Sequence, residues 1–383
     1  MEHYLWHRFI FAVLRVVAGP FVKLSMRYKC KKEKGPDAPS LIISNHNTDL
    51  DPAMVAQGFS RHIYFLTSEH ALRGGFASKI LRSVFSPIPI NKTRNDVSAI
   101  KEMLHRLRAG ANVCLFAEGD RSFCGMTGPV AVSTAKLAKT SGVDLITFRL
   151  EGGYLTSPRW ANKMRKGRMT GAIVNKYTAA ELKTMSNGQV LEAIERDIYE
   201  DAYERQKEKA YCFRGENLAE SIETALYLCP RCKKIGTIRS EGDRFSCSCG
   251  LSAEFTETGF LEGEDLPFSA LTEWGAWQRD QLEEVIGNAG DGPICSDEGQ
   301  QLFEVRAAVE KKLVGEGTMS ISRDSFHCAG MTFPLEQITR FAIVGQMTLL
   351  FGLKEGATYE VRSAAPRNAL KYKEIFRRLV TES

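Results

Sequence analysis

Leu41-Ile42-Ile43-Ser44-Asn45-His46-Asn47-Thr48-Asp49-Leu50-Asp51-Pro52 is a short apolar run that ends in a polar cluster. A run of this length, bounded by polar residues, reads as a strand. A second stretch has the same design: Val113 to Ala117, then Glu118-Gly119-Asp120-Arg121-Ser122. Two polar clusters at the ends of two strands, one with a His and an Asp and one with an Arg, predict a single site.

Working outward, short apolar runs alternate with helical patterns from residue 40 to about 175. Leu41–Ser44, Ile63–Thr67, Val113–Ala117, Leu145–Leu150 and Ala172–Tyr177 read as strands. Between them, Asn95 or Asp96 caps a helix that carries Val97, Ile100, Leu104 and Leu107 on one face and stops at Gly110. Pro129 opens another that ends at Gly142. Strands alternating with helices predict an α/β domain with a largely parallel sheet, whose site lies beyond the carboxyl ends of the strands. A charge-rich helical segment from Gly188 to about Ala210 closes this domain, which spans 36–215.

Composition sets the frame for the rest. At 383 residues the chain has room for two or three domains, and a net charge of +5 does not call for a nucleic-acid partner. Residues 1–40 hold eight basic residues (Arg8, Arg15, Lys23, Arg27, Lys29, Lys31, Lys32 and Lys34) against Glu2, Glu33 and Asp37. Tyr4 to Val17 is apolar around most of a helical circumference, and Pro20 is expected to break that helix before a basic linker. An apolar face with basic flanks and aromatic residues (Tyr4, Trp6, Phe9, Phe11) suits helices over 1–35 that lie in a membrane interface. No stretch supplies the 18 or so uninterrupted apolar residues of a spanning helix, and no signal-peptide pattern is visible. The ten cysteines are therefore expected in a reducing compartment, as thiols or metal ligands, with the chain on the cytoplasmic face of a membrane.

The chemistry of the two clusters follows from residue type. An alcohol needs a base within hydrogen-bond reach to act as a nucleophile at neutral pH, and His46 with Asp51 on its other ring nitrogen would supply one. Asp51 before Pro52 is also a good helix N-cap, and both roles can coexist. Arg121 offers a planar fork for a phosphate, and backbone N–H groups around Gly119 add donors. Glu118 is placed to meet an acceptor hydroxyl or to hold Arg121. Lys92, in Ile90-Asn91-Lys92-Thr93-Arg94, is a second candidate for a phosphate clamp. The basic run Arg159, Lys163, Arg165, Lys166 and Arg168, with Trp160 among them, is either a headgroup- or phosphate-binding loop or a solvated one.

Asn45-His46-…-Asp51 resembles the N-H-x4-D block of the glycerolipid acyltransferase family, the 1-acylglycerol-3-phosphate acyltransferases and their relatives. Glu118-Gly119-Asp120-Arg121-Ser122 resembles its E-G-T-R-S block, with Asp120 where Thr is commoner, and Ile88-Pro89-Ile90-Asn91-Lys92 resembles the intervening basic block. A fourth block would fall at Leu145-Ile146-Thr147-Phe148-Arg149, without the usual Pro. The resemblance implies a three-layer αβα domain with a mixed, largely parallel sheet. It further implies a membrane-surface enzyme that moves an acyl group from acyl-CoA or acyl carrier protein to a lysophospholipid. On this basis His46 and Asp51 are the catalytic pair and Glu118, Gly119, Arg121 and Lys92 the phosphate-binding set. Other acceptors (glycerol 3-phosphate, another lysolipid, a glycolipid) remain open, as does a membrane-associated interaction protein without catalysis.

Cys229-Pro230-Arg231-Cys232 and Cys247-Ser248-Cys249 flank a predicted hairpin, Ile235–Ser240 and Arg244–Ser246. Two close cysteine pairs joined by a hairpin can give four thiolates to one structural metal, so residues 225–260 resemble a zinc ribbon. Iron, free thiols or a redox pair are the alternatives. Residues 261–300 hold ten acidic residues and one basic residue, Arg279, and read as an acidic helix and linker. Short strands and a last helix from Ala365 to Val380 make 310–383 a β-rich region similar in topology to PH or GRAM modules.

Overall fold

The apolar runs of the first half assemble into a seven-stranded sheet in the order β1-β7-β6-β2-β5-β3-β4. Its strands are β1 (Tyr28–Cys30), β2 (Ser40–Ser44), β3 (Ile63–Ser68), β4 (Ile88–Ile90), β5 (Asn112–Phe116), β6 (Asp144–Glu151) and β7 (Met169–Tyr177). The computed structural model describes residues 4–30, 38–72, 81–94, 96–306 and 310–381. Lys31, Lys32, Glu33, Lys34 and Asp37 of the N-terminal charged cluster, with Glu2 and Asn95, lie outside them. The chain divides into two units. The first comprises Met1–Ile90, Asp96–Arg159 and Lys163–Gly215; the second comprises Asn91–Asn95, Trp160–Asn162 and Glu216–Ser383.

In the first unit every neighbouring pair is parallel except β6 with β7. Side chains alternate across the sheet, and both faces are covered. Leu41, Ile43, Val113, Leu115 and Leu145 pack in one apolar cluster with Met103, Leu107, Leu137 and Ile194 from helices Val97–Arg108, Val132–Ser141 and Asn187–Ile198. Ile42, Cys114, Ile146, Phe148 and Leu150 pack in another with Met54 and Val55 of α2 (Asp51–Gln57). Burial on both faces explains why the strands are continuous apolar runs rather than alternating ones. The result is the expected three-layer αβα arrangement.

The alignment of β2 with β5 positions the site. Ser44 lies opposite Phe116, so two parallel strands end side by side and the loops that follow emerge at one edge. One further ladder bond, from the Ala117 N–H to the Ser44 carbonyl at 3.2 Å, holds them together past the last paired residues.

Several local expectations change. Pro20 does not end the first helix: α1 runs Tyr4–Ser25 with Pro20 inside it, and it bends by 42° between Leu5–Val17 and Gly19–Ser25. A proline removes one backbone bond and crowds the preceding turn, so a bend just before it is the milder outcome. No single described helix is long and apolar enough to cross a membrane, although the two limbs of α1 taken together could by length and composition. Tyr28-Lys29-Cys30 is not linker but edge strand β1, parallel to Met169–Gly171. Asp51 is the first residue of α2 rather than its cap, which falls on Leu50. The helix expected at Pro129 begins at Val132, whereas Asp96 caps Val97–Arg108 by accepting the Ala99 N–H. The segment from Gly188 to Ala210 is two helices, Asn187–Ile198 and Ala202–Lys209.

The second unit holds two antiparallel sheets. The hairpin between the cysteine pairs is Ile238–Glu241 with Arg244–Cys247, and Ser252–Phe255 and Leu261–Glu262 extend it to four strands. Helices Leu271–Asp280 and Leu282–Asn288 follow. Seven further strands from Cys295 to Ser363 precede the helix Leu370–Thr381. The β-rich region thus opens with Cys295–Val305, inside the stretch expected to be acidic linker; the acidic Asp297 and Glu298 sit in a strand rather than a solvated loop.

His62 yields a prediction about this packing. Its ring is buried against Phe11 and Tyr64, and neither ring nitrogen has a partner among the described residues. Burial pushes its pKa down to about 3, with the charges of His7 and Arg106 acting in the same direction. The unfolded chain takes up the proton near the ordinary 6.5 and the folded chain only near 3, so this group's stability contribution is complete above 6.5 and is lost as pH falls through that window. His62→Phe should flatten the fall in melting temperature across the window; an unchanged slope would show that His62 does not drive it.

Candidate functional site

His46 follows β2 directly, and three contacts fix it. Its Nδ1 lies 2.9 Å from Asp51 Oδ2, its backbone N–H donates to Glu118 Oε1 at 2.7 Å, and its ring stacks on Phe116 with centroids 4.3 Å apart and planes at 18°. The side chain is 20% exposed while that of Asp51 is fully buried. Asp51 also accepts the backbone N–H of Asn47 (2.5 Å) and of Thr48 (3.0 Å) and the Thr48 hydroxyl (2.8 Å). A buried carboxylate with this many donors is held in one orientation. As its acceptor oxygen faces His46 Nδ1, the proton belongs on Nδ1 and the lone pair on Nε2.

Glu118 joins the two loops. Besides the His46 N–H, its other oxygen accepts the Gly128 N–H at 2.7 Å. Both oxygens therefore bind backbone, and the carboxylate is not among the hydrogen-bond partners of Arg121. Burial pushes its pKa up to about 8 against those two bonds, and the charges of Asp51 and Glu200 add to the rise. Gly119 takes φ +70° in the tight turn that follows, a region that glycine enters without strain.

Arg121 has three partners: Nε donates to the Asn47 carbonyl (3.1 Å), Nη2 to the Ser157 carbonyl (3.0 Å) and Nη1 to Asp49 Oδ2 (2.8 Å). Its guanidinium thus sits over the turn that carries His46. Lys92 lies in Asn91–Asn95, which is grouped with the second unit, so the first unit by itself brings together His46, Asp51, Glu118, Gly119 and Arg121 without it. Of the basic run between β6 and β7, Arg159 and Arg165 are buried rather than displayed. Arg159 lies over the Phe123 ring, donates to the Arg121 carbonyl at 3.1 Å and faces Asp120 at 3.7 Å.

Other side chains hold the site through contacts that motif spacing does not reveal. The Asn45 amide makes a reciprocal pair with Leu150, giving Nδ2–H to its carbonyl (2.7 Å) and accepting its N–H (2.8 Å). This side chain copies a backbone ladder step and ties the end of β2 to β6. Glu200 is buried and accepts from Asn47 Nδ2 (2.8 Å), the Gly152 N–H (2.8 Å) and Arg205 (3.0 Å), while burial raises its pKa. Beside it, a Cβ on Gly153 would lie 2.6 Å from the Asn47 side chain, so the chain after β6 can approach the loop only as glycine.

In the second unit, Cys229, Cys232, Cys247 and Cys249 converge, their sulfurs all within 4.8 Å of one another. The Cys229–Cys249 and Cys232–Cys247 pairs are 3.7 Å apart, too far for disulfides. Four sulfurs about 2.3 Å from a central ion in a tetrahedron would be spaced about 3.8 Å apart, a spacing that these two pairs already match, so the set could hold a metal ion. Both turns are shaped for it: Lys233 and Gly250 take positive φ after the second cysteine of each pair, and backbone N–H groups of Cys232 and Arg231 point to the Cys229 sulfur.

Comparison with known proteins gives the following. Residues 27–151 match the acyltransferase family, a span that includes His46, Asp51, Glu118 and Arg121. The 1-acyl-sn-glycerophosphate acyltransferase PlsC of Thermotoga maritima is similar in structure at 17% identity and a TM-score of 0.38, over 51% of this chain and 95% of that one. No curated protein sequence matches the chain.

Proposed function

We propose, from the match of residues 27–151 to the acyltransferase family, that this chain transfers an acyl group from a thioester, acyl-CoA or acyl carrier protein, to the free hydroxyl of a lysophospholipid. The acceptor we favour is 1-acylglycerol-3-phosphate, because its phosphate suits Arg121. The observation that carries the reading is the His46–Asp51 contact at 2.9 Å, which leaves Nε2 as the base. The acceptor O–H gives its proton to Nε2, its oxygen attacks the thioester carbonyl carbon, and the carbon–sulfur bond breaks. The departing thiolate takes the proton back from the imidazolium, which Asp51 and the face of Phe116 stabilise meanwhile. No covalent enzyme intermediate is needed.

Acceptor-dependent release of free thiol from acyl-CoA tests this. The chain should release thiol with 1-acylglycerol-3-phosphate, and His46→Ala should lower the rate by roughly a hundredfold or more. Silence across several lysolipids would favour an interaction protein instead, and near-normal turnover by a folded His46→Ala variant would refute the base.

We further propose that α1 rests on the cytoplasmic face of a bilayer. Leu5, Phe9, Val13, Val16, Val17, Phe21 and Leu24 are exposed along one side of it, at the three- and four-residue spacing of a helical stripe. The full chain should float with anionic vesicles and the Phe21→Glu variant should stay in the dense fraction; flotation of neither would remove the membrane from the account.

Zinc is the ion we propose for the four cysteines, since a closed all-thiolate tetrahedron is its usual structural site. Elemental analysis of freshly purified protein should find zinc in stoichiometric amount, and Cys232→Ser should lose it together with melting temperature. A visible iron–thiolate absorbance would reassign the metal, and a metal-free but equally stable protein would dismiss it.

A further inference from the structure

Arg121 is held on one side by backbone and on the other by an exposed side chain, that of Asp49. Its Nε and Nη2 bonds go to the carbonyls of Asn47 and Ser157, which cannot leave without unfolding the loop. Its Nη1 bond goes to Asp49 Oδ2. The Asp49 side chain is 84% exposed whereas that of Arg121 is 11% exposed. Among the described residues the carboxylate makes this one hydrogen bond, with the buried Arg159 cation near enough to attract it, and it covers the accessible end of a guanidinium that is otherwise buried. Asp49 also belongs to the turn between His46 and Asp51, so whatever occupies its place stands next to the base.

From this geometry we infer that Asp49 is a displaceable stand-in for the anionic group of the acceptor. It seats a carboxylate on Arg121 when the site is empty and turns out to solvent when a phosphate takes the seat. The inference rests on the reading of Arg121 as the phosphate seat and adds a specificity-determining residue to it. Water solvates the exposed Asp49 carboxylate once it lets go, so a phosphate with two charges and several acceptor oxygens displaces it at small cost. A neutral headgroup offers Arg121 nothing in exchange, so the pair stays closed against it. Asp49 thereby weakens every anionic ligand a little and leaves a threshold that only a phosphate-like group passes.

The test is Asp49→Asn, with Asp49→Ser as a second variant, in the full-length protein. Titration of glycerol 3-phosphate into wild type and variants reads the seat without turnover. Removal of the competing carboxylate should tighten binding roughly two- to fivefold, with the gain shrinking at high salt. In the thiol-release assay KM for 1-acylglycerol-3-phosphate should fall by a similar factor while kcat is unchanged. Unchanged or weaker binding of glycerol 3-phosphate by both variants would overturn the inference. A loss of turnover confined to lysolipids with an ammonium headgroup would overturn it too, by making Asp49 a direct contact for that cation. Tighter binding in variants of a chain that turns over no acceptor would uphold the displaceable seat and leave the acyl-transfer reading as the part that failed.

Discussion

The carboxylate of Glu118 is the interaction on which the candidate site depends. Placed after β5, it accepts the N–H of His46 after β2 and the N–H of Gly128 further along its own loop. Those two donors point away from any regular ladder, and without an acceptor they would be buried and unsatisfied, at about 1–3 kcal/mol each. Adjacent parallel strands bring the loops to one edge, but strand pairing alone leaves their conformations open. The carboxylate selects one conformation of each, and with it the direction in which the His46 ring leaves the sheet.

Around this strut the protein buries further acids, Asp51 and Glu200. Each is supplied with donors from loop backbone and amides, so these acids also shape the turn that carries His46. The cost of such crowding is visible in the raised pKa values of Glu118 and Glu200, which desolvation dominates. A site of this kind trades some stability for rigidity around His46.

The sequence was informative where the physics is local or periodic. Apolar runs announced the strands because both faces of the sheet are covered, and the Asp96 cap and the Gly142 stop announced helix ends. The cysteine spacing announced a cluster because a four-sulfur set needs two close pairs. Less was legible where a contact joins distant positions without a pattern of its own. Glu200 lies 153 residues from Asn47, its hydrogen-bond partner. β1 is three residues long and has no alternation to read. The partners of Arg121 were hidden for a related reason: two are backbone carbonyls, which residue identities do not record.

The stacking of Phe116 on His46 has a stereochemical consequence. One face of the imidazole is covered by a nearly parallel ring, and Nδ1 is taken by Asp51. On the acyl-transfer reading, proton loss can occur only along the ring plane at Nε2, and both reactants must gather on the uncovered face. An acceptor hydroxyl presented to a single edge of a one-sided base, while its anionic group is fixed at Arg121, is constrained at two points and walled at a third. Mirror-image glycerol backbones cannot both meet such a set of constraints, so the ring that steadies the base also makes the site chiral with respect to its alcohol.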